Sequence, residues 1–108
     1  MTVKQLSEHQ AFSPVTVPDG EREIKGVYIG DLLSWVMGRA NCDDAWITIM
    51  SNVNVVAVAS LADTACVILA EDVTLDEAVK NTAEAKGINV LKTKLSAYET
   101  AVLLSGLI

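Results

Sequence analysis

A cluster of lysines and hydroxyl side chains occupies residues 92–100, which read KTKLSAYET. Ammonium groups, hydroxyls and the unpaired amides of a helix N-terminus are groups that bind anions. Ser96 and Glu99 have the spacing of a capping box, in which each side chain hydrogen-bonds a backbone amide at the helix start. Lys92 is predicted to point outward from a preceding strand, which leaves Thr93 and Lys94 beside that helix start. The cluster is therefore either a helix cap alone or a cap combined with an anion contact.

Carboxylates and small polar residues form the other candidate groups. Asp31, Glu71 and Asp72 have the oxygen ligands that Mg²⁺ prefers. We predict no metal site, because Asp31 is a good helix N-cap and the other two belong to a solvated loop. The segment from Ser51 to Asn54 either binds a small polar ligand or only satisfies a tight turn. The candidate ligand-binding residues are Gly30, Asp31, Ser51, Asn52, Asn54, Glu71, Asp72, Thr93, Lys94 and Ser96.

The sequence lacks the residue sets of the common catalytic sites, so we predict that the protein is not an enzyme. His9 is the only histidine and belongs to the first predicted helix, so no Ser-His-Asp or Cys-His set can form. Neither a P-loop nor a Gly-x-Gly-x-x-Gly segment is present. Cys42, Cys66 and His9 cannot supply the four ligands of a structural zinc site. We expect both cysteines to be reduced and structural, and we expect no cofactor.

Length, composition and charge narrow the class of protein. The 108 residues fit one domain, residues 1–108, and 51% of them are hydrophobic. The net charge of −6 disfavours nucleic acid and anionic membranes as partners. No apolar run reaches the roughly 18 residues that span a bilayer, and the N-terminus lacks the apolar core of a signal peptide. We therefore expect a cytoplasmic protein.

Strand and helix patterns alternate along the chain. Thr2 and Gln5 form a capping box that predicts a helix to about Gln10, and the prolines of residues 13–18 predict an edge strand. Further strands are predicted at 24–29, 46–50, 66–70 and 88–91, and helices at 32–39, 53–62, 74–86 and 96–104. The helix predicted at 74–86 carries a capping box at Thr74–Glu77, and Gly87 ends it in a left-handed turn.

Residues 53–62 are ambiguous, because their valines favour a strand. We predict a helix, since the segment is long enough for a crossover between parallel strands. The fold class is then α/β: a mainly parallel sheet with helices on both faces, in three layers, preceded by a short N-terminal helix. The strand ends near residues 30–31, 51–52, 71–72 and 93–94 share one edge, where the candidate site lies.

Several of these segments carry a family resemblance. The order of residues 24–34, 46–49 and 54–59 resembles the DRTGG domain, a family found beside CBS-domain pairs and inside some phosphotransacetylases. Residues 87–96 are also similar to the N-terminal domain of HPr kinase/phosphorylase, a relative of the same fold. The resemblance implies a regulatory, non-catalytic module that often self-associates, without kinase activity because the P-loop domain is absent. The Asp-Arg-Thr-Gly-Gly string is missing, and Glu71-Asp72-Val73 stands where the family's glycines are expected.

These observations predict a regulatory or ligand-sensing domain that forms a homodimer and binds a small polar or anionic ligand or a partner protein. The alternatives are a small-molecule enzyme that uses the strand-end edge and a structural adaptor without a ligand. The dimer is expected because the C-terminal helix is apolar nearly all round, at residues 101–104. One of its faces would cover the sheet and another a partner, so Leu104→Glu would favour the monomer.

Overall fold

The computed structural model describes residues 1–108 and contains five helices and five strands. The helices are α1 (Val3–Ser7), α2 (Leu33–Arg39), α3 (Val53–Ala62), α4 (Glu77–Ala85) and α5 (Ala97–Leu107). The strands are β1 (Ser13–Thr16), β2 (Gly26–Ile29), β3 (Asp44–Thr48), β4 (Cys66–Leu69) and β5 (Val90–Lys92). The longest helix, α5, has 11 residues, fewer than a helix needs to span a bilayer.

The strands form one sheet in the order β1-β5-β4-β3-β2. Strands β2 to β5 are parallel to their neighbours, and β1 pairs with β5 in the antiparallel direction. This confirms the prediction of a mainly parallel sheet, and it also confirms that the proline-containing strand lies at an edge. β2 forms the opposite edge.

The order of the parallel strands decides where the helices lie. Each crossover from β2 to β5 moves one strand in the same direction, and right-handed crossovers then place α2, α3 and α4 on one face. Their buried side chains pack with Trp46, Val67 and Val90 in one core cluster. Ile47, Ile68 and Leu91 alternate to the other face, where they pack with residues of α1 and α5.

The central strands β3 and β4 are buried along their whole length. This is expected for parallel strands that are covered on both faces. The predicted helix at residues 53–62 is confirmed as α3, whose valines pack on this sheet. Leu104 is fully buried, so our expectation that it faces a partner was wrong, and Leu104→Glu would unfold the domain instead.

Two of the three predicted capping boxes are present. Thr2 with Gln5 and Ser96 with Glu99 each form both reciprocal hydrogen bonds, and α1 ends at Ser7 instead of Gln10. The box at Thr74–Glu77 was wrong: α4 begins after Asp76, which makes no side-chain capping bond. Asp31 is not the cap of α2 either, because Leu32 occupies that position.

Other helices and strands begin or end a few residues away from their predicted bounds. Strand β2 begins at Gly26 instead of Ile24, β3 runs over 44–48 instead of 46–50, and β5 runs over 90–92 instead of 88–91. Hydrogen-bonded register with the neighbouring strands sets these bounds, and no local pattern reports it. Gly87 has a φ of 72° after α4, as predicted.

Candidate functional site

A cleft opens at the carboxyl ends of β4 and β5. The chain leaves β4 toward α4 on one face of the sheet and leaves β5 toward α5 on the other face. Divergence of neighbouring connections is the arrangement that creates ligand crevices in parallel sheets. The cleft has a volume of about 570 Å³, and it is lined by Gln10, Ala11, Ser13, Asp72, Lys92, Thr93, Lys94 and Leu95.

Thr93 joins the cleft to the N-terminal segment. Its side chain is buried, and its hydroxyl donates to the carbonyl of Ala11 at 2.7 Å. The same hydroxyl accepts from the amide of Leu95 at 3.2 Å. The hydroxyl of Thr93 is thus already occupied on both sides, so this residue shapes the wall and leaves ligand contacts to its neighbours.

The loop after β4 has an unusual backbone. Glu71 and Asp72 have φ angles of 59° and 58°, in the left-handed region that glycine adopts without strain. Their amides donate to the carbonyls of Leu95 at 2.8 Å and Thr93 at 2.9 Å. These bonds hold two non-glycine residues in a conformation that is ordinarily left to glycine. The family resemblance led us to expect glycines at these positions, and glycine would adopt this conformation without strain.

The two lysines of the cleft differ. Lys92 Nζ lies 3.3 Å from Asp72 Oδ1, so part of its charge is neutralised within the wall. This corrects the prediction that Lys92 points away from the site. Lys94 is exposed and makes no ion pair. Its ammonium group is the cation that remains available to a bound anion.

The structure separates the sequence-predicted residues into two groups. Asp72, Thr93 and Lys94 line the cleft, with Glu71 and Ser96 next to lining residues in the chain. Gly30, Asp31, Ser51, Asn52 and Asn54 belong to the ends of β2 and β3, outside the lining.

The residues outside the cleft have local partners. The Asp31 carboxylate accepts from the Thr48 hydroxyl at 2.8 Å and from the Ile49 amide at 3.0 Å. The Gly30 carbonyl accepts from the Trp46 indole at 2.8 Å. Asn52 caps α3 by accepting from the amide of Asn54, which makes the segment from Ser51 to Asn54 a helix start.

Gln10, Ala11 and Ser13 were missed by sequence reasoning. The sequence feature that could have identified them was the edge strand predicted to begin at Ser13. Antiparallel pairing with β5 places Ser13 opposite Lys92 and so brings the start of β1 to the cleft. His9 lies beyond the end of α1, and its Nδ1 accepts from the Ala11 amide at 3.0 Å.

A second polar cluster lies at the opposite end of the strands. Arg22 makes ion pairs with Asp43 at 2.8 Å and Asp63 at 2.9 Å. The Arg22 hydrogen bond lowers the pKa of Asp43, and the hydrogen bonds from Cys42 and then Arg22 lower the pKa of Asp63. The cluster ties the chain before β2 to the loops before β3 and after α3.

The same cluster raises the pKa of the Cys42 thiol, chiefly through its hydrogen bond to Asp63. Burial raises the pKa of Cys66 to about 12. Both cysteines are free, and a raised pKa makes neither a reactive thiolate at neutral pH. No group of three or more histidine, cysteine or acidic side chains is arranged to hold a metal ion.

Comparison with known proteins adds two findings. The family described as DRTGG domain matches residues 19–107. A similar fold occurs in the crystal structure of the CBS and DRTGG domains from the regulatory region of Clostridium perfringens pyrophosphatase, complexed with its activator diadenosine tetraphosphate. The TM-score is 0.65 at 14% identity, over 86% of this chain and 40% of that chain. No curated protein matches this chain by sequence.

Proposed function

Because this chain belongs to the DRTGG domain family, we propose that it is a non-catalytic regulatory domain that binds a small anionic ligand in the cleft between β4, β5 and β1. The DRTGG domain is a regulatory domain, and the pyrophosphatase neighbour is regulated by a nucleotide activator. The proposal transfers the regulatory role to this chain and leaves the identity of the ligand to the chemistry of the cleft.

The observation that carries the proposal is a polar cleft at the point where the connections diverge. Its walls combine the exposed ammonium group of Lys94 with the neutral polar side chains of Gln10 and Ser13. Concave sites with a few convergent polar groups are the usual small-molecule sites. The cleft therefore suits a ligand with one anionic end and further hydrogen-bonding groups.

Charge limits the size of that anion. Lys92 is paired with Asp72, and Glu71 is adjacent, so Lys94 is the one lysine of the cleft without a carboxylate partner. One uncompensated cation matches a single carboxylate or phosphate monoester better than a polyphosphate, whose further charges would meet these carboxylates. We therefore expect a nucleoside monophosphate or a small carboxylate to bind more tightly than diadenosine tetraphosphate.

The absence of a nucleophile–base pair in the cleft supports a regulatory role over catalysis. The one histidine uses Nδ1 for the Ala11 amide, and the Thr93 hydroxyl is engaged on both sides. His9 does not line the cleft, and the Thr93 hydroxyl donates its proton to a backbone carbonyl and not to a base. The expected output of ligand binding is a change in stability or association, without turnover.

Thermal shift and calorimetry test the cleft. AMP, inorganic phosphate, lactate and diadenosine tetraphosphate are added separately, and AMP or lactate is expected to raise the melting temperature because it binds the native state. Lys94→Glu should weaken that binding at least several-fold, whereas Lys86→Glu, an exposed control beside the far end of α4, should not. A shift that survives in Lys94→Glu contradicts the cleft, and no shift with any probe contradicts ligand binding.

We also propose that the domain self-associates. Large apolar side chains remain more than a third exposed on several elements: Val27, Ile29, Leu32, Trp35, Met37, Ile49, Val53, Leu61, Tyr98, Val102 and Ile108. A two-fold homodimer is the commonest way to cover such a surface. Sedimentation equilibrium at micromolar concentration tests it: a mass that stays at 11.5 kDa at all concentrations contradicts self-association.

A further inference from the structure

Strand β2 is an edge strand without the usual protection against pairing. Proteins protect sheet edges with proline, charged side chains or bulges. Residues 26–29 of β2 read GVYI and contain none of these features. The Val27 side chain is 38% exposed and Ile29 is 49% exposed. The edge is therefore apolar and open to another strand.

Both exposed side chains lie on the face of the sheet that carries α1 and α5. Val27 pairs with Ala45 and Ile29 pairs with Ile47, and these two partners belong to the core cluster of that face. Directly paired residues share a face of the sheet. Helices thus cover the β3 part of this face, and α5 also reaches β2, but Val27 and Ile29 remain partly exposed.

The sequence of β2 matches its own reverse. Antiparallel pairing of β2 with a second copy, about a two-fold axis at Tyr28, places Val27 opposite Ile29 and Gly26 opposite Gly30. The next pair outward is Lys25 opposite Asp31. The apolar side chains then meet apolar ones, and each end of the paired strands joins a cation to an anion.

The charged residues at the two ends are accessible for this pairing. The Lys25 side chain is 70% exposed, and its Nζ lies 3.6 Å from Asp43. Asp31 is exposed, and its two hydrogen bonds use only Oδ1. Oδ2 of Asp31 therefore remains free for the ammonium group of a partner.

We propose that two copies of this chain associate by antiparallel pairing of β2 about a two-fold axis, which joins the two sheets into one. The inference rests on the self-association proposed above and assigns it to a surface. A second copy is the occupant because β2 is complementary to itself in this register. Val27 meets Ile29 and Lys25 meets Asp31 on both sides of the axis. The exposed β2 parts of the two sheet faces then adjoin across the axis.

Charge substitutions on this edge test the surface by sedimentation velocity. Ile29→Lys should raise the dimer dissociation constant at least tenfold, because it places two ammonium groups beside apolar side chains. Val102→Lys, at a 52% exposed residue of α5, is the matched control and should leave association unchanged. Circular dichroism and urea unfolding of each variant establish that the monomer is folded.

The outcomes distinguish association through β2 from self-association through any other surface. A wild-type protein that is monomeric at all concentrations overturns self-association. A wild-type dimer that persists in Ile29→Lys overturns the β2 surface alone, and its loss in Val102→Lys would move the interface to α5.

Disulfide cross-linking tests the register. Val27→Cys and Ile29→Cys proteins, each also carrying Cys42→Ser, are mixed under mild oxidation. The mixture should cross-link faster than either protein alone, because directly opposite residues are closer than diagonal ones. Equal rates in the mixture and in the separate proteins overturn the axis at Tyr28.

Discussion

The two edge strands of the sheet, β1 and β2, have equal length but differ in whether a further strand can pair with them. β1 is a closed edge: Pro14 lacks an amide proton, the register shifts between Pro14 and Thr16, and the Thr16 hydroxyl donates to Glu84 at 3.3 Å. β2 is an open edge, whose side chains make no hydrogen bonds and whose apolar residues remain exposed. The capacity to pair with a further strand is thus blocked on the side of the cleft and kept on the other side.

The closed edge also forms part of the cleft. Asn89 and Thr93, just before and after β5, hydrogen-bond to the segments that flank β1. Disturbing these bonds should therefore cost stability and ligand binding, whereas changes on the open edge should affect association.

The largest effect is expected from Asn89→Ala. The buried side chain of Asn89 donates to the carbonyls of Asp19 at 2.8 Å and Ala65 at 3.0 Å, and it accepts from the Asp19 amide at 2.9 Å. Removing these bonds should lower the free energy of unfolding by about 2–4 kcal/mol. Urea unfolding measures this loss, and Asn81→Ala, at an exposed residue of α4, should change it by less than about 0.5 kcal/mol. Equal effects of the two variants would contradict the assigned role of Asn89.

Thr93→Val tests the link between β1 and the cleft with a smaller change. Valine has nearly the same shape but leaves the Ala11 carbonyl and the Leu95 amide without their shared partner. We expect a loss of about 1–2 kcal/mol in urea unfolding, because the bonds are removed without a cavity. Ligand affinity in the cleft should fall as well. The exposed control Thr74→Val should leave both quantities unchanged, and an unaffected Thr93→Val protein would disprove the link.

Substitutions at Glu71 test the backbone of the cleft loop. With φ at 59°, glycine should be more stable than alanine at this position by about 1 kcal/mol. The order should reverse at Asn81, in the middle of α4, where glycine is less stable than alanine by about 0.5–1 kcal/mol. Thermal unfolding of the four variants measures both differences. The same order at both positions would contradict the left-handed conformation of Glu71.

The smallest effect is expected for the ion pairs of Arg22, which precedes the open-edge strand β2 in the chain. Asp43 and Asp63 have lowered pKa values in the folded protein, so their stabilisation is full above the unfolded value near pH 3.9 and is lost as the pH falls through the folded values. Arg22→Gln should therefore be less stable than the wild type at pH 7 and 5, with the difference shrinking below about pH 4. Urea unfolding across this range measures it. A difference that does not depend on pH would contradict the ion pairs, whose contribution is small because the Asp63 side chain is exposed and those of Arg22 and Asp43 are only partly buried.

The periodicity and the capping residues of the sequence predicted most of the elements. Buried strands such as β4 are apolar throughout, and the boxes at Thr2 and Ser96 begin helices because side chain and amide are three residues apart. The same pattern failed at Thr74. A local motif offers a cap but does not oblige the chain to use it, since competing contacts decide where a helix starts.

The sequence by itself determined the α/β class, the parallel strands and the edge position of the proline strand, because these follow from local patterns of burial and backbone preference. Only the tertiary structure decided the strand order, and with it the face on which each helix lies. That order separated Gly30, Asp31 and Ser51 from the cleft and brought Gln10 and Ser13 into it. It also left β2 open at an edge. Contacts between residues far apart in the chain set these features, so they could not be predicted from any short segment.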